Sequence, residues 1–286
     1  MRPGRLWIPL GLAVSLASAL WSSGRLEALR GSRPSGSQVL YLPSGKYLKI
    51  TSLGFPEVMA DMIYIWSIQY YSDYEAADRF KYLEHIYANV ISELDPRYVD
   101  PYLIGAMIMT VEAGENEMAL RLLDKGIAAN PDEWILPFDA GFLCYDTLHD
   151  YPRAAVYFEK AMRIPGAPNV IPRLRAEMFN KAGDKRTSLE FWKEVQAGAQ
   201  SGYVRDVSRM HVHDLTIEVD LETLRGAVAA WRERRGGNPP SLRAMVAAGL
   251  LARVPVDPEG LAYLYDPRTG EVRSQSRLSL RQKASS

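Results

Sequence analysis

A single cysteine, Cys144, is the whole thiol content of this 286-residue sequence. One thiol forms no internal disulfide and builds no thiolate metal site. Its apolar setting, Phe142-Leu143-Cys144-Tyr145, predicts a buried structural side chain. An excess of one charge is also missing. Lys plus Arg and Asp plus Glu each total 34, so the formal net charge is zero. No overall field favours nucleic acid, and no nucleic-acid partner is expected. The sequence has no G-x-S-x-G, no phosphate-cradling glycine loop and no His-Glu-x-x-His. His211-Val212-His213-Asp214 is the densest group of metal-ligating types. On a helix its two imidazoles point about 200° apart, so they do not share a metal there. Glu84-His85 is a lone pair. The expectation is a non-enzymatic chain with no catalytic residue, no metal and no cofactor.

Long apolar runs are scarce. The one run of note extends from Leu6 to about Trp21, after Arg2 and Arg5 and before Ser22-Ser23-Gly24. This is the order of a secretory signal, and Ala17-Ser18-Ala19 fits a small-x-small cleavage site. As a helix the run reaches roughly 24 Å, short of the about 30 Å of a hydrocarbon core. Residues 1–22 are therefore read as a signal peptide or a transmembrane anchor, with both readings open. The expected location is the inner membrane facing the periplasm, or the periplasm itself after cleavage. A cytoplasmic body behind the anchor is the remaining topology. Residues 23–54 are read as a linker, rich in Gly, Ser, Arg and Pro to about 38, then an extended segment around Pro43-Ser44-Gly45.

From 55 to 235 the chain reads as helices of roughly 12–18 residues broken by Asp-Pro, Asn-Pro, Gly-Asp and Pro-Gly. Self-similarity organises them. Ala119, Leu123 and Gly126 are spaced by four and three, and Ala154, Phe158 and Ala161 repeat that spacing 35 residues on. Ser188, Trp192 and Val195 repeat it after 34 more; Pro96 and Pro131 are 35 apart, and Gly105 and Gly141 are 36 apart. Positions i, i+4 and i+7 share a helical face. Small residues at its ends admit a neighbouring helix, and a large one between them fills the gap. Asp61 to Tyr74 is unusually aromatic, which fits a packed core or a partner-facing patch.

This pattern resembles the tetratricopeptide repeat family, whose period is about 34 with small-large-small in the second helix and a closing proline. The likeness is clearest over 98–166, weaker over 57–97 and 167–200. The first-helix signature survives only as Gly105 and Gly141, and Gly126 stands where the family has alanine. The resemblance implies an all-α, right-handed solenoid of antiparallel helix pairs that binds a protein on its concave face. Taking Gly105 and Gly141 as equivalent, the groove positions are Tyr102, Ala106 and Met109 in one unit. In the next they are Phe138, Phe142, Tyr145 and Asp146, and in the third Arg173, Glu177 and Asn180. Aromatics dominate the central unit, which suits an extended apolar segment better than an acidic tail. The expected function is a scaffold or adaptor for proteins of a membrane-associated complex. The alternative is an exported peptide- or polysaccharide-binding, chaperone-like protein.

The C-terminal part, 236–273, is expected to hold a short helix and a small β-hairpin. Leu221 to Arg235 reads as the last amphipathic helix, and Gly236-Gly237-Asn238-Pro239-Pro240 breaks it. Ser241 is a candidate N-cap for Leu242 to Leu251. Alternating runs around Asp266-Pro267-Arg268-Thr269-Gly270 predict the hairpin at about 261–273. Residues 274–286 read as a disordered polar tail.

Overall fold

The computed structural model describes residues 42–72, 74, 79–276 and 278, plus positions 15, 18, 21, 22 and 25. The signal or anchor over 1–22 therefore lies almost wholly outside the described residues. The described chain is mostly helical with one two-stranded sheet. It forms two compact units, Met1–Glu115 and Asn116–Ser286.

In the first unit, α1 spans Gly45–Thr51. This corrects the extended reading of that segment. The Pro-Ser-Gly turn chemistry is the helix start: the Ser44 carbonyl accepts from the Tyr47 and Leu48 amides at 2.9 and 3.2 Å. Gly45 packs against the helical segment 85–94, where a Cβ would meet the Val90 carbonyl oxygen and come within 2.6 Å of Glu93 Cβ. Tertiary contact sets this helix, which local composition alone does not favour.

Helix α2, Pro56–Tyr71, begins with proline in its first turn, where the missing N–H costs nothing. It buries Ala60, Tyr64, Ser67 and Tyr71. Helix α3 is π-wound over His85–Ile91 and continues as one α turn, Ser92–Leu94. It supplies Ile86, Tyr87, Val90, Ile91 and Leu94 to the core. The Tyr71 and Tyr87 rings stack at 6.0 Å, and Ser67 Oγ bonds the Tyr87 hydroxyl at 3.1 Å. Burial pushes both phenols above their ordinary range. The aromatic run thus divides: Tyr64 and Tyr71 are core, whereas Tyr74 is exposed. Helix α4, Asp100–Met107, passes into a π-wound stretch, Ile108–Glu112.

The second unit contains α5 (Asn116–Ala129), α6 (Ile135–Asp146), α7 (Tyr151–Met162), α8 (Ile171–Lys181), α9 (Lys185–Ala197) and α10 (Gly202–Arg235). Each packs on the next in chain order. The punctuation has visible causes. Asp150, Asp184 and Ser201 cap α7, α9 and α10 by accepting from the amides of Arg153, Thr187 and Val204. Gly183, at φ +85°, ends α8 immediately before Asp184. Buried Asn130 closes α5 by donating to the Gly126 carbonyl, and Pro131 follows.

The repeating triplets lie in the interior. Ala119, Leu123 and Gly126, then Ala154, Phe158 and Ala161, then Ser188 and Trp192 are buried, with Val195 half-buried. Gly141 of α6 meets Phe158 of α7 so closely that a Cβ would fall 2.9 Å from the ring. Arg153 bonds Glu117 at 2.8 Å, and the Tyr157 hydroxyl donates to Asp124 at 2.9 Å. These two bonds lay α7 alongside α5 in the same direction.

Helix α10 is 34 residues long, where a shorter last helix at Leu221–Arg235 was expected. It reaches two hydrophobic clusters. Leu215 joins Ala176, Leu189 and Trp192. Ile217, Leu224, Val228 and Trp231 join Leu242, Met245, Tyr263 and Val272 of the C-terminal part. That part holds α11, Leu242–Ala247, with Ser241 as its N-cap. Strands β1 (Leu264–Asp266) and β2 (Glu271–Arg273) pair antiparallel with Tyr265 opposite Val272, inside the expected hairpin. Residues 274–276, expected to be disordered, are tied down: buried Asp257 accepts from Ser276 Oγ at 2.6 Å.

Candidate functional site

Helix α6 and its flanks carry a row of partly exposed aromatic rings. Trp134 and Phe138 meet edge to face at 5.9 Å, Phe138 and Phe142 stack at 6.4 Å, and Phe142 and Tyr145 meet edge to face at 5.9 Å. Tyr151, at the start of α7, extends the row at 6.4 Å from Tyr145. Spacings of three and four residues place these rings on one side of α6. Opposite them, Leu136, Ala140, Leu143 and Cys144 are buried, and Gly141, near the edge of the row, is buried against Phe158. Phe142 is 45% exposed; Phe138 and Tyr145 are half-buried and Asp146 is exposed.

Helix α8 flanks this face. Lys181 Nζ sits 5.7 Å from the Tyr145 ring centroid and 5.8 Å from that of Tyr151. Beside Lys181 in sequence, the Asn180 amide reaches back one turn to the Glu177 carboxylate at 3.4 and 3.5 Å. Burial raises the Glu177 carboxyl above its ordinary value, with the Asn180 contact opposing. Arg173 turns elsewhere, its guanidinium 6.0 Å from the Tyr203 ring of α10.

The expected groove residues therefore separate. Phe138, Phe142 and Tyr145 form one row of rings, exposed Asp146 follows at the end of α6, and Glu177 and Asn180 lie on α8 within about a turn of Lys181. Tyr102, Ala106 and Met109 do not form a surface, because all three are buried. The Tyr102 hydroxyl is committed to the Pro96 carbonyl at 3.1 Å. That unit uses the face as core, so Tyr102 and Met109 are withdrawn as contact residues.

Two features had no sequence reading. Asp139, half-buried within the aromatic run, has its carboxyl raised by burial. A cleft of about 440 Å³ opens on the other side of α8, lined by Met162, Pro172, Arg175, Phe191 and Val204 among others. Arg175 lies flat over Phe191 at 3.7 Å and pairs with Glu159 at 3.0 Å. Arg175 is about 200° around the helix from Arg173, so the cleft and the Glu177–Asn180 edge are separate. An arginine two residues from a groove position was the available signal.

The chain matches no protein-family model and no curated protein.

The α6 row offers an aromatic contact surface. Among the described residues no group of three or more His, Cys, Asp or Glu is placed to hold a metal ion. The two histidines diverge as the helical spacing requires. His211 stacks on Trp192 at 3.8 Å, and His213 Nδ1 meets Asp214 at 2.8 Å. Cys144 is buried, and burial pushes its thiol up to about 11. No described helix is long and apolar enough to cross a membrane.

The histidine stack gives a pH prediction. Burial lowers the His211 pKa below 6.5, with Asp214 opposing. The unfolded chain then binds this proton more readily than the folded one. The stability contribution is whole above pH 6.5 and is lost as pH falls below it. His211→Phe keeps the stack and removes the titration. Thermal melts from pH 7.5 to 5 should show Tm falling less steeply in this variant than in the parent. Parallel slopes would mean that His211 does not carry the effect.

Proposed function

We propose that this chain is a non-enzymatic protein-interaction scaffold, held at or exported across a membrane by its N-terminus. Its helices form a right-handed solenoid of antiparallel pairs of the tetratricopeptide type. It takes an extended apolar segment of a protein from a membrane-associated complex along the α6 aromatic face. Chain-order packing and the same-direction contact of α5 and α7, one period of about 35 residues apart, support the solenoid. The signal-like apolar run supports envelope localisation, at the inner membrane facing the periplasm or free within it.

The observation that carries the binding reading is the stacked row centred on half-exposed Phe142. Rigid aromatic rings lose little conformational entropy on contact, and they dominate binding energy at protein interfaces. The Glu177–Asn180 pair and Lys181 would supply the polar rim. The same combination of exposed rings, carboxylate and amide also favours the second reading, an exported polysaccharide or peptide ligand.

The test is cross-linking and capture from native membranes with wild type, Phe142→Ala and Tyr145→Ala. Each variant should retain wild-type melting and weaken partner capture by about 1–2 kcal/mol, roughly five- to thirtyfold in affinity. Unchanged capture, or loss of folding in both variants, would sink the α6 face as the binding surface. Retention of a glycan in place of a protein would move the function to the second reading.

A further inference from the structure

The first unit carries an apolar surface that the α6 reading does not use. Ile50, Leu53, Phe55, Val58, Met62 and Ile65 are between 54% and 88% exposed. Val58, Met62 and Ile65 follow the i, i+4, i+7 spacing along α2 and lie opposite its buried face of Ala60, Tyr64, Ser67 and Tyr71. Phe55 leads into the same stripe, and Ile50 and Leu53 are exposed in α1 and the turn that precede it in the chain. A helix that is apolar on two opposite sides has one side for its own core and another for something else.

The turn supplies a second observation. Leu53 has φ +51°, and Gly54 after it has φ +91°. Non-glycine residues in this left-handed region are usually Asn or Asp, and a bulky apolar residue there is strained. Leu53 occupies it at the most exposed point of the patch.

What covers the stripe is indicated by the segment just before it in the chain. Lys46, Tyr47 and Lys49 are exposed on α1, with Lys49 also reaching the Glu93 carbonyl at 3.3 Å. Lysines beside Tyr and bulky aliphatics are the composition of surfaces seated at the headgroup level, where the ammonium groups meet phosphate and the apolar groups enter the acyl boundary. The exposed carboxylates Glu57 and Asp61 stand one turn apart on the flank of the stripe, away from its centre. In sequence the stripe follows the Leu6–Trp21 apolar run by about 30 residues, so a membrane-held N-terminus would keep it within reach of the same bilayer.

We propose that the α1–α2 stripe seats this protein on an anionic bilayer surface, lying in the interface rather than crossing it. The inference is independent of the α6 face, and either can fail alone.

The full chain with Met62→Cys gives the test. Cys144 is buried with a raised pKa, so an environment-sensitive fluorophore goes to position 62. Exposed Ala128→Cys serves as the control. Both proteins are floated with vesicles of phosphatidylethanolamine and phosphatidylglycerol. The probe at 62 should shift to the blue and lose at least half its intensity to brominated lipid, whereas that at 128 should do neither. Lys46→Glu with Lys49→Glu should reduce the quenching at least twofold.

Failure to float overturns the proposal, as does equal iodide quenching at 62 with and without vesicles. A blue-shifted probe that brominated lipid does not quench also overturns it. In that case protein covers the stripe: the chain's own N-terminal run, a second copy or a partner.

Discussion

Phe158→Ala should destabilise the Asn116–Ser286 unit by about 3–5 kcal/mol, the usual range for deleting a fully enclosed aromatic ring. The reasons are local. Phe158 has no exposed surface, and its ring occupies the space that Gly141 leaves open. It also meets the Phe138 ring at 6.0 Å. Alanine opens a cavity that cannot collapse easily, because Gly141 has no side chain to fill it and the α6 backbone is already in contact. Urea unfolding should show the loss as a lower midpoint. Val156→Ala, on the exposed side of the same helix, should stay within about 0.5 kcal/mol of wild type. A cost below about 1 kcal/mol for Phe158→Ala would mean that α6 and α7 are not locked by this contact. The proposed binding face would then have no rigid support.

The inward place of Phe158, though not its contact with Gly141, was legible in the sequence because the packing rule and the spacing are one constraint. A triplet of small, large and small residues at i, i+4 and i+7, repeated after 35 residues, has a single economical use. The structure buries its members in that use. The hairpin was legible for a similar reason, since turn chemistry at Asp266 to Gly270 is local.

The failures share a different cause. Tyr102, Ala106 and Met109 have the same spacing as Phe138, Phe142 and Tyr145, yet their face is buried. Spacing says which residues share a face. It does not say whether a neighbour covers that face. Gly45 shows the same limit at the backbone level, because its helix depends on Val90 and Glu93, more than 40 residues away. The α2 stripe was hidden by its partner face. Apolar residues on two opposite sides of a helix leave no single polar side for a periodicity reading to find.

Trp231→Ala should cost as much as Phe158→Ala, about 3–5 kcal/mol by the same cavity argument, but the damage should be confined. Trp231 sits near the end of α10 beneath the C-terminal part, in one cluster with Leu242, Met245, Tyr263 and Val272. The segments above it are a six-residue helix and two three-residue strands. Elements so short do not persist without the surface they cover. Tyr263 adds a bond from its hydroxyl to Asp220 at 2.9 Å, again on α10. Removing the indole should therefore let residues 236–276 open while the α5–α9 packing holds. Hydrogen exchange reads this directly. A loss of about 3 kcal/mol in local opening energy corresponds to more than a hundredfold faster exchange for the β1 and β2 amides. The α7 amides should keep their wild-type rates. Phe158→Ala should give the reverse order, with α6 and α7 exchanging first. If Trp231→Ala accelerates α7 as well, α10 transmits the loss from the cluster at Trp231 to the one at Trp192. The long helix would then bind the two clusters into one cooperative block, and the C-terminal part would be a structural requirement for the aromatic face rather than a separate cap.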